Sequence, residues 1–284
     1  MPTALLAASD LSSRSAPALA RAVRLAARTG ARLAVLHVVE DDQPEARMQE
    51  AQRSAESFLR EQLGALGAPA DCEVITRAGD AFRVIGEEAE ARAAELIVLG
   101  AYRRRLLRDV FIGTTVERVT RTAGRPVLMA NGPGGEGWRR VCIATDMSQA
   151  SAEAARAAHA LGLLDGVEVT FVHAYAPITR EMMTHAGIAE DRMRGESKRA
   201  FDDTRREVAR FIQKLDLGDL SYSARIVDGL GASAITGVVE QTQPDLLVIG
   251  TRGLSGVRRL FLGSVAQELM ASLDIDILAV PPGG

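Results

Sequence analysis

Three glycines and a hydroxyl near the end of the chain are laid out for phosphate. Gly250-Thr-Arg-Gly253, nine further residues and Gly263-Ser264 follow the apolar run Asp245-Leu-Leu-Val-Ile-Gly250 and precede a helical pattern from Val265 to Leu273. Two glycines leave a strand and a third opens a helix. Glycine lets the backbone come close to phosphate oxygens, and the first N–H groups of a helix are unpaired donors at the positive end of its dipole. The same layout stands 150 positions earlier as Gly100-Ala-Tyr-Arg103, nine residues and Gly113-Thr114. An arginine replaces one of the three glycines there, so the chain reads as a duplication with unequal copies.

Other residues gather at the same place if the strands run as their apolar content suggests. Asp10 and Asp146 end a first strand, Val38 and Ala174 a second, and the glycine segments follow a fourth. In an open α/β sheet, ligands sit beyond the carboxyl ends of the strands, where the strand order reverses. A carboxylate there can accept from an amine or hydroxyl of a ligand. Asp followed by Ser also serves as a helix cap, and for the aspartates taken alone that is the plainer role. Their position beside the glycine segments favours ligand contact. His37 and His173 occupy equivalent places in the second strand; with no serine or cysteine partner, they read as packed side chains satisfied by backbone. His159 and His185 belong to no motif.

The elements that must position these groups alternate. Strands are expected at Ala4–Ala8, Arg32–Val39, Cys72–Thr76, Leu96–Gly100 and Pro126–Ala130, then at Arg140–Thr145, Glu168–Ala174, Tyr222–Val227, Leu246–Gly250 and Ile277–Val280, with helical patterns between. Such alternation implies βαβ units with right-handed crossovers, hence an α/β fold of two doubly wound domains, each an open parallel sheet with helices on both faces. The glycine-rich Asn131–Gly137 is the linker, and it divides the chain into domains 1–131 and 138–284. Ser9-Asp10 matches Thr145-Asp146 and His37 matches His173 at an offset of 136, whereas Gly79 matches Gly229 and Phe111 matches Phe261 at 150. The second copy therefore holds about fourteen extra residues, assigned to Ala176–Gly195. They read as a surface loop before a longer helix, in preference to a flap over the strand ends, because loops tolerate length.

Composition narrows the classes. The chain has 284 residues with 47% apolar and 25% charged content and a net charge of −3, and neither half carries the basic excess of a nucleic-acid binder. The clusters Arg103-Arg104-Arg105 and Arg258-Arg259 lie inside the glycine segments, as solvated loop charge or as phosphate contacts. Cys72 and Cys142 form no metal or redox spacing and read as buried small hydrophobes in strands. No run of 18 apolar residues suggests a membrane span, and the first residues lack the basic start of a signal peptide, so a cytoplasmic location is expected. Lysine occurs only at Lys198 and Lys214, so no Walker loop is present; nor is there a Gly-x-Gly-x-x-Gly after the first strand, a zinc pattern or a nucleophile elbow.

Together these residues resemble the universal stress protein family. The resemblance rests on the glycine segment, Asp-x-Ser after the first strand, the second-strand histidine, Gly79 and Gly229 after the third strand, and Glu95 and Asp245 before the fourth. These markers occur in order, twice, over nearly the whole chain. The resemblance implies a five-stranded parallel sheet per copy and, in some branches, adenine nucleotide binding. Carried over position by position, Asp146 and Ala174 lie near adenine and ribose, while Gly250, Gly253, Gly263 and Ser264 hold the phosphates of ATP, with or without Mg²⁺. The matching set in the first copy is Asp10, Val38, Gly100, Gly113 and Thr114. Arg103 stands there for glycine, where it strains the turn, fills the site or pairs with phosphate. Ala174 stands where valine is more usual.

The resemblance also implies pairing of the two domains through their last strands, Val127–Ala130 and Ile277–Val280, which hides both edges. Further pairing into a homodimer stays open. The function implied is that of an ATP-binding regulatory protein of the stress response, acting by occupancy. A slow ATP hydrolase is the alternative, against which no general base is found. A nucleotide-free scaffold for partner proteins is the third reading; Arg103 supports it for the first copy only.

Overall fold

Short apolar runs with no polar alternation form strands that are buried on both faces. β1 (Ala4–Ala8), β4 (Leu96–Gly100), β6 (Arg140–Ala144) and β9 (Leu246–Gly250) are of this kind. The computed structural model describes residues 1–100, 115–132, 137–175, 190–252 and 262–282. The first repeat continues with α1 (Ala16–Thr29), β2 (Arg32–Val39), α2 (Glu45–Ala65), β3 (Glu73–Ala78), α3 (Ala81–Ala91), α4 (Thr115–Thr122) and β5 (Val127–Ala130). The second has α5 (Gln149–Ala160), β7 (Glu168–Tyr175), α6 (Glu190–Gln213), β8 (Tyr222–Asp228), α7 (Gly231–Thr242), α8 (Ser264–Ser272) and β10 (Asp276–Val280).

These ten strands form one sheet in the order β3-β2-β1-β4-β5-β10-β9-β6-β7-β8. Pairing is parallel within each repeat, and β5 meets β10 antiparallel, with Leu128 opposite Leu278. Strand order reverses between β1 and β4 and again between β6 and β9, which opens a crevice at their carboxyl ends. One face packs under α1, α2, α5 and α6, through Leu19, Leu59, Ala155 and Val208. The other packs under α3, α4, α7 and α8, through Ile85, Val119, Val239 and Leu269.

Cys72 departs from its expected strand. Its N–H donates to the Pro69 carbonyl at 3.0 Å in a turn, β3 starts one residue later, and the side chain is half-buried. Cys142 lies in β6 and is buried as expected. Burial pushes both thiols up, Cys72 to about 11 and Cys142 to about 12, so neither forms a thiolate nucleophile near neutral pH.

Candidate functional site

The turn that leaves the first strand is built identically in both repeats. The Ser12 N–H donates to Asp10 Oδ1 and the Ser148 N–H to Asp146 Oδ1, each at 3.0 Å. Between them Leu11 and Met147 both carry φ of 61°, a left-handed conformation that costs a branched or long side chain about 1–2 kcal/mol. Hydroxyls hold that turn in place. Ser9 Oγ accepts from Leu11 N at 3.1 Å and Thr145 Oγ1 from Met147 N at 2.9 Å. Behind them Ser9 bonds Ser15 and Thr145 bonds Ser151, both pairs buried.

His37 and His173 brace the same turns. Each Nδ1 lies 2.8 Å from a backbone carbonyl, that of Ser9 and that of Thr145. A carbonyl can only accept, so Nδ1 carries the proton in both. The aspartates themselves are not the helix caps. Ser148 caps α5, its Oγ accepting from Ser151 N at 3.2 Å, and Asp146 sits two residues ahead of it. In the first repeat Asp10 is exposed and pairs with Arg14 at 3.3 Å. Burial works to raise its carboxyl, but hydrogen bonds from the Ser12 hydroxyl and N–H, together with Ser15 and Arg14, outweigh it and leave Asp10 below its usual range.

Gly100 and Gly250 are demanded by packing, whatever binds nearby. A Cβ at Gly250 would lie 2.9 Å from both the carbonyl carbon and oxygen of Ala150, at the start of α5. At Gly100 it would lie 2.7 Å from the Arg14 carbonyl oxygen. The fourth strand of each repeat thus ends in backbone contact with the helix entry next to it. Gly263 is the N-cap of α8, and its N–H donates to the Thr251 carbonyl at 2.8 Å. The donors that face outward therefore begin with Ser264. Glu95 and Asp245 act at the opposite end of the sheet. Glu95 accepts from Thr3 N and Oγ1, Asp245 from Arg139 N and Arg140 N, so each clamps the entry of a first strand.

A cavity of about 240 Å³ opens over the crevice of the second repeat. Asp146 lines it from the end of β6, Ala174 from β7, Gly250 from β9, and Gly263 and Ser264 from α8. These are five of the six positions expected in that repeat; Gly253 lies outside the described residues. Ile235, Ile249 and Leu269 line it as well, all buried. Its size falls somewhat below the roughly 300–1,000 Å³ typical of small-molecule sites. Asp10, Val38 and Gly100 hold the matching strand ends of the first repeat, and Arg103, Gly113 and Thr114 lie outside the described residues.

Sequence reasoning missed Gly231, Thr251 and Arg252, which also line the cavity. Thr251 and Arg252 stood inside the quoted glycine segment, a usable signal. Gly231 had only its place two residues after Gly229. Chemically, the start of α8 offers backbone donors and a positive dipole end, Arg252 brings a cation to the same wall, and Asp146 offers an acceptor across from them. Among the described residues no three His, Cys, Asp or Glu side chains come together as metal ligands. No helix among them is long and apolar enough to cross a membrane.

The sequence model of the universal stress protein family matches residues 1–131 and again 137–281. A universal stress protein of Thermus aquaticus, encoded in the 3′ region of a QAH/OAS sulfhydrylase, is 30% identical over 143 residues, 50% of this chain and 98% of that protein. Among solved structures, a universal stress protein of Archaeoglobus fulgidus superposes with a TM-score of 0.70 at 20% identity, covering 99% of this chain and 98% of its own. A functionally unknown protein of Pseudomonas aeruginosa gives a TM-score of 0.63 at 18% identity, covering 99% and 93%. At such identities the structural likeness is one of fold.

Proposed function

Because this chain belongs to the universal stress protein family, as two copies in tandem, we propose that it binds an adenine nucleotide, ATP foremost, and serves as a regulatory protein of the stress response through nucleotide occupancy. The observation that carries this reading is the cavity of the second repeat, which joins an acceptor carboxylate at Asp146, an apolar wall and the N-terminus of α8 in one space. In this reading adenine and ribose lie against Asp146 and Ala174. The phosphates meet Ser264, the first N–H groups of α8 and Arg252, with Gly250, Gly253 and Gly263 giving them room. Mg²⁺ is held by the phosphate oxygens, since bound Mg²⁺ keeps most of its ligands as water and phosphate. Asp10, Val38, Gly100, Arg103, Gly113 and Thr114 are the corresponding set of the first repeat.

Domains 1–131, with the degenerate glycine motif, and 138–284, with the intact one, are then the two repeats of a cytoplasmic protein. Pairing of β5 with β10 inside one chain takes the place of pairing between two single-domain chains. Nucleotide acts by shifting a population, to the extent that it binds one state more tightly than another.

The test is to heat freshly purified protein, extract it and count the nucleotide released per chain. At least one adenine nucleotide per chain is expected, and Ala174→Phe, which projects a ring into the cavity, is expected to remove it. Absence of nucleotide, together with no binding of added ATP and Mg²⁺ and no rise in melting temperature, would sink the proposal in favour of a scaffold. Phosphate release from ATP that requires Asp146 would favour a hydrolase instead.

A further inference from the structure

The two repeats differ where their third and fourth helices meet. Asp80 caps α3, its Oδ1 accepting from Phe82 N at 3.2 Å, and its Oδ2 pairs with Arg118 Nη1 of α4 at 3.5 Å. The Arg118 guanidinium carbon lies 3.3 Å from the centroid of the Phe82 ring. A charge pair and a stacked cation thus tie the start of α3 to α4.

The matching positions of the second repeat are Leu230, Ala232 and Glu268. These residues cannot rebuild that contact. Leu230 makes no side-chain cap and is 71% exposed, a methyl stands for the ring, and Glu268 carries the opposite charge to Arg118. Instead α7 and α8 approach each other at Gly231, whose missing Cβ would lie 3.6 Å from Val265 Cγ2. The cavity opens at this junction, between Gly231 and Ile235 of α7 and Val265 and Leu269 of α8.

We infer that Asp80, Phe82 and Arg118 form a latch that closes the first repeat to nucleotide, so that the chain takes one nucleotide, in its second repeat. The inference rests on the nucleotide reading above. The effect is steric. Phe82 and the guanidinium stacked on it join α3 to α4 at the junction where, in the second repeat, the cavity opens between α7 and α8.

The latch can be moved. Leu230→Asp/Ala232→Phe/Glu268→Arg copies it onto the second repeat without touching a residue that lines the cavity. Equilibrium dialysis with ATP and Mg²⁺ is expected to give one nucleotide per chain for the native protein and binding weakened by about ten-fold or more in the variant. The variant's melting temperature without ATP is measured alongside, to separate lost binding from lost folding, because Ala232 is buried. Should the buried ring prevent folding, the reverse change Phe82→Ala/Arg118→Glu, which opens the latch in the first repeat, is expected to raise the count from one to two nucleotides per chain, and a count that stays at one overturns the latch. Native affinity in the folded transfer variant, or two nucleotides per native chain, overturns the latch while leaving the nucleotide reading intact. No binding by the native protein overturns both.

Discussion

Asp276 and Arg21 form a buried ion pair between the two repeats, with Asp276 Oδ2 accepting from Arg21 Nε at 2.7 Å and side-chain exposures of 0% and 6%. Asp276 opens β10 and Arg21 lies on α1. Trp138 Nε1 donates to the same oxygen at 2.8 Å, and the linker's Asn131 and Gly132 N–H groups donate to Oδ1 at 2.9 and 2.8 Å. The Arg21 guanidinium also sits 5.2 Å from the centroid of the Trp138 ring. A buried carboxylate is tolerated only when its acceptor capacity is filled, and here four donors from three separate segments fill it.

Truncating that carboxylate strands a buried cation. Asp276→Ala is expected to cost about 3–5 kcal/mol in urea unfolding, the range for breaking a buried pair from one side. Asp276→Leu/Arg21→Met, which removes both charges, is expected to cost clearly less. A loss below about 1 kcal/mol for Asp276→Ala would show that the pair does not hold the repeats together.

Gly250 tests whether a motif glycine serves the fold or the ligand. A Cβ 2.9 Å from the Ala150 backbone cannot be accommodated by turning a side chain, so β9 or α5 must shift. Gly250→Ala is expected to lower unfolding free energy by about 1–3 kcal/mol in nucleotide-free protein, as overpacking does. If stability is native and only ATP binding falls, the packing account of this glycine is wrong.

Strands were the most legible part of the sequence. β1, β2, β4 and β9 begin and end where their apolar runs do, because burial on both faces leaves nothing else to define them. The strand-end aspartates, the second-strand histidines and the start of α8 were legible for a related reason: each sits at a fixed offset from such a run. The rest depended on contacts distant in sequence. Nothing local to Gly250 says that the α5 backbone presses on it. Cys72 missed its strand because a turn to Pro69 claims its N–H. Asp276 met Arg21 across 255 positions, and the Asp80–Arg118 pair spans a segment that no periodicity links.

Glu95 gives the acid limb of stability a defined sign. The Thr3 hydroxyl and then the Thr3 N–H donate to its carboxylate and hold it below its usual value of 4.5, against a smaller opposing effect of burial. A carboxyl lowered in the folded state contributes stability that is fully present above its unfolded value and is lost as pH falls through the folded one. Glu95→Gln is therefore expected to lower the melting temperature modestly at pH 7 and to leave a smaller drop below about pH 4.5 than native protein shows. Parallel curves for the two proteins from pH 7 to 3 would remove Glu95 from the account. The effect is small because the carboxylate is largely in contact with solvent.

Ser264 allows the start of α8 to be altered without damaging the helix. It is the first helical residue after the Gly263 cap, where an N–H has no partner within the helix and proline is well tolerated. Gly263 already has the extended ψ of 145° that a following proline requires. Ser264→Pro therefore deletes one backbone donor and one hydroxyl from the cavity wall and keeps the fold. If phosphate rests on this helix end, ATP affinity is expected to fall by about ten-fold or more, since a hydrogen bond to a charged group contributes roughly 1.5–3 kcal/mol. Ser264→Ala, which deletes the hydroxyl alone, is expected to fall between the proline variant and native protein. The melting temperature without nucleotide separates this effect from misfolding. Native ATP affinity in the proline variant would move the phosphates away from α8, and with them the assignment of Gly263 and Ser264 to the site.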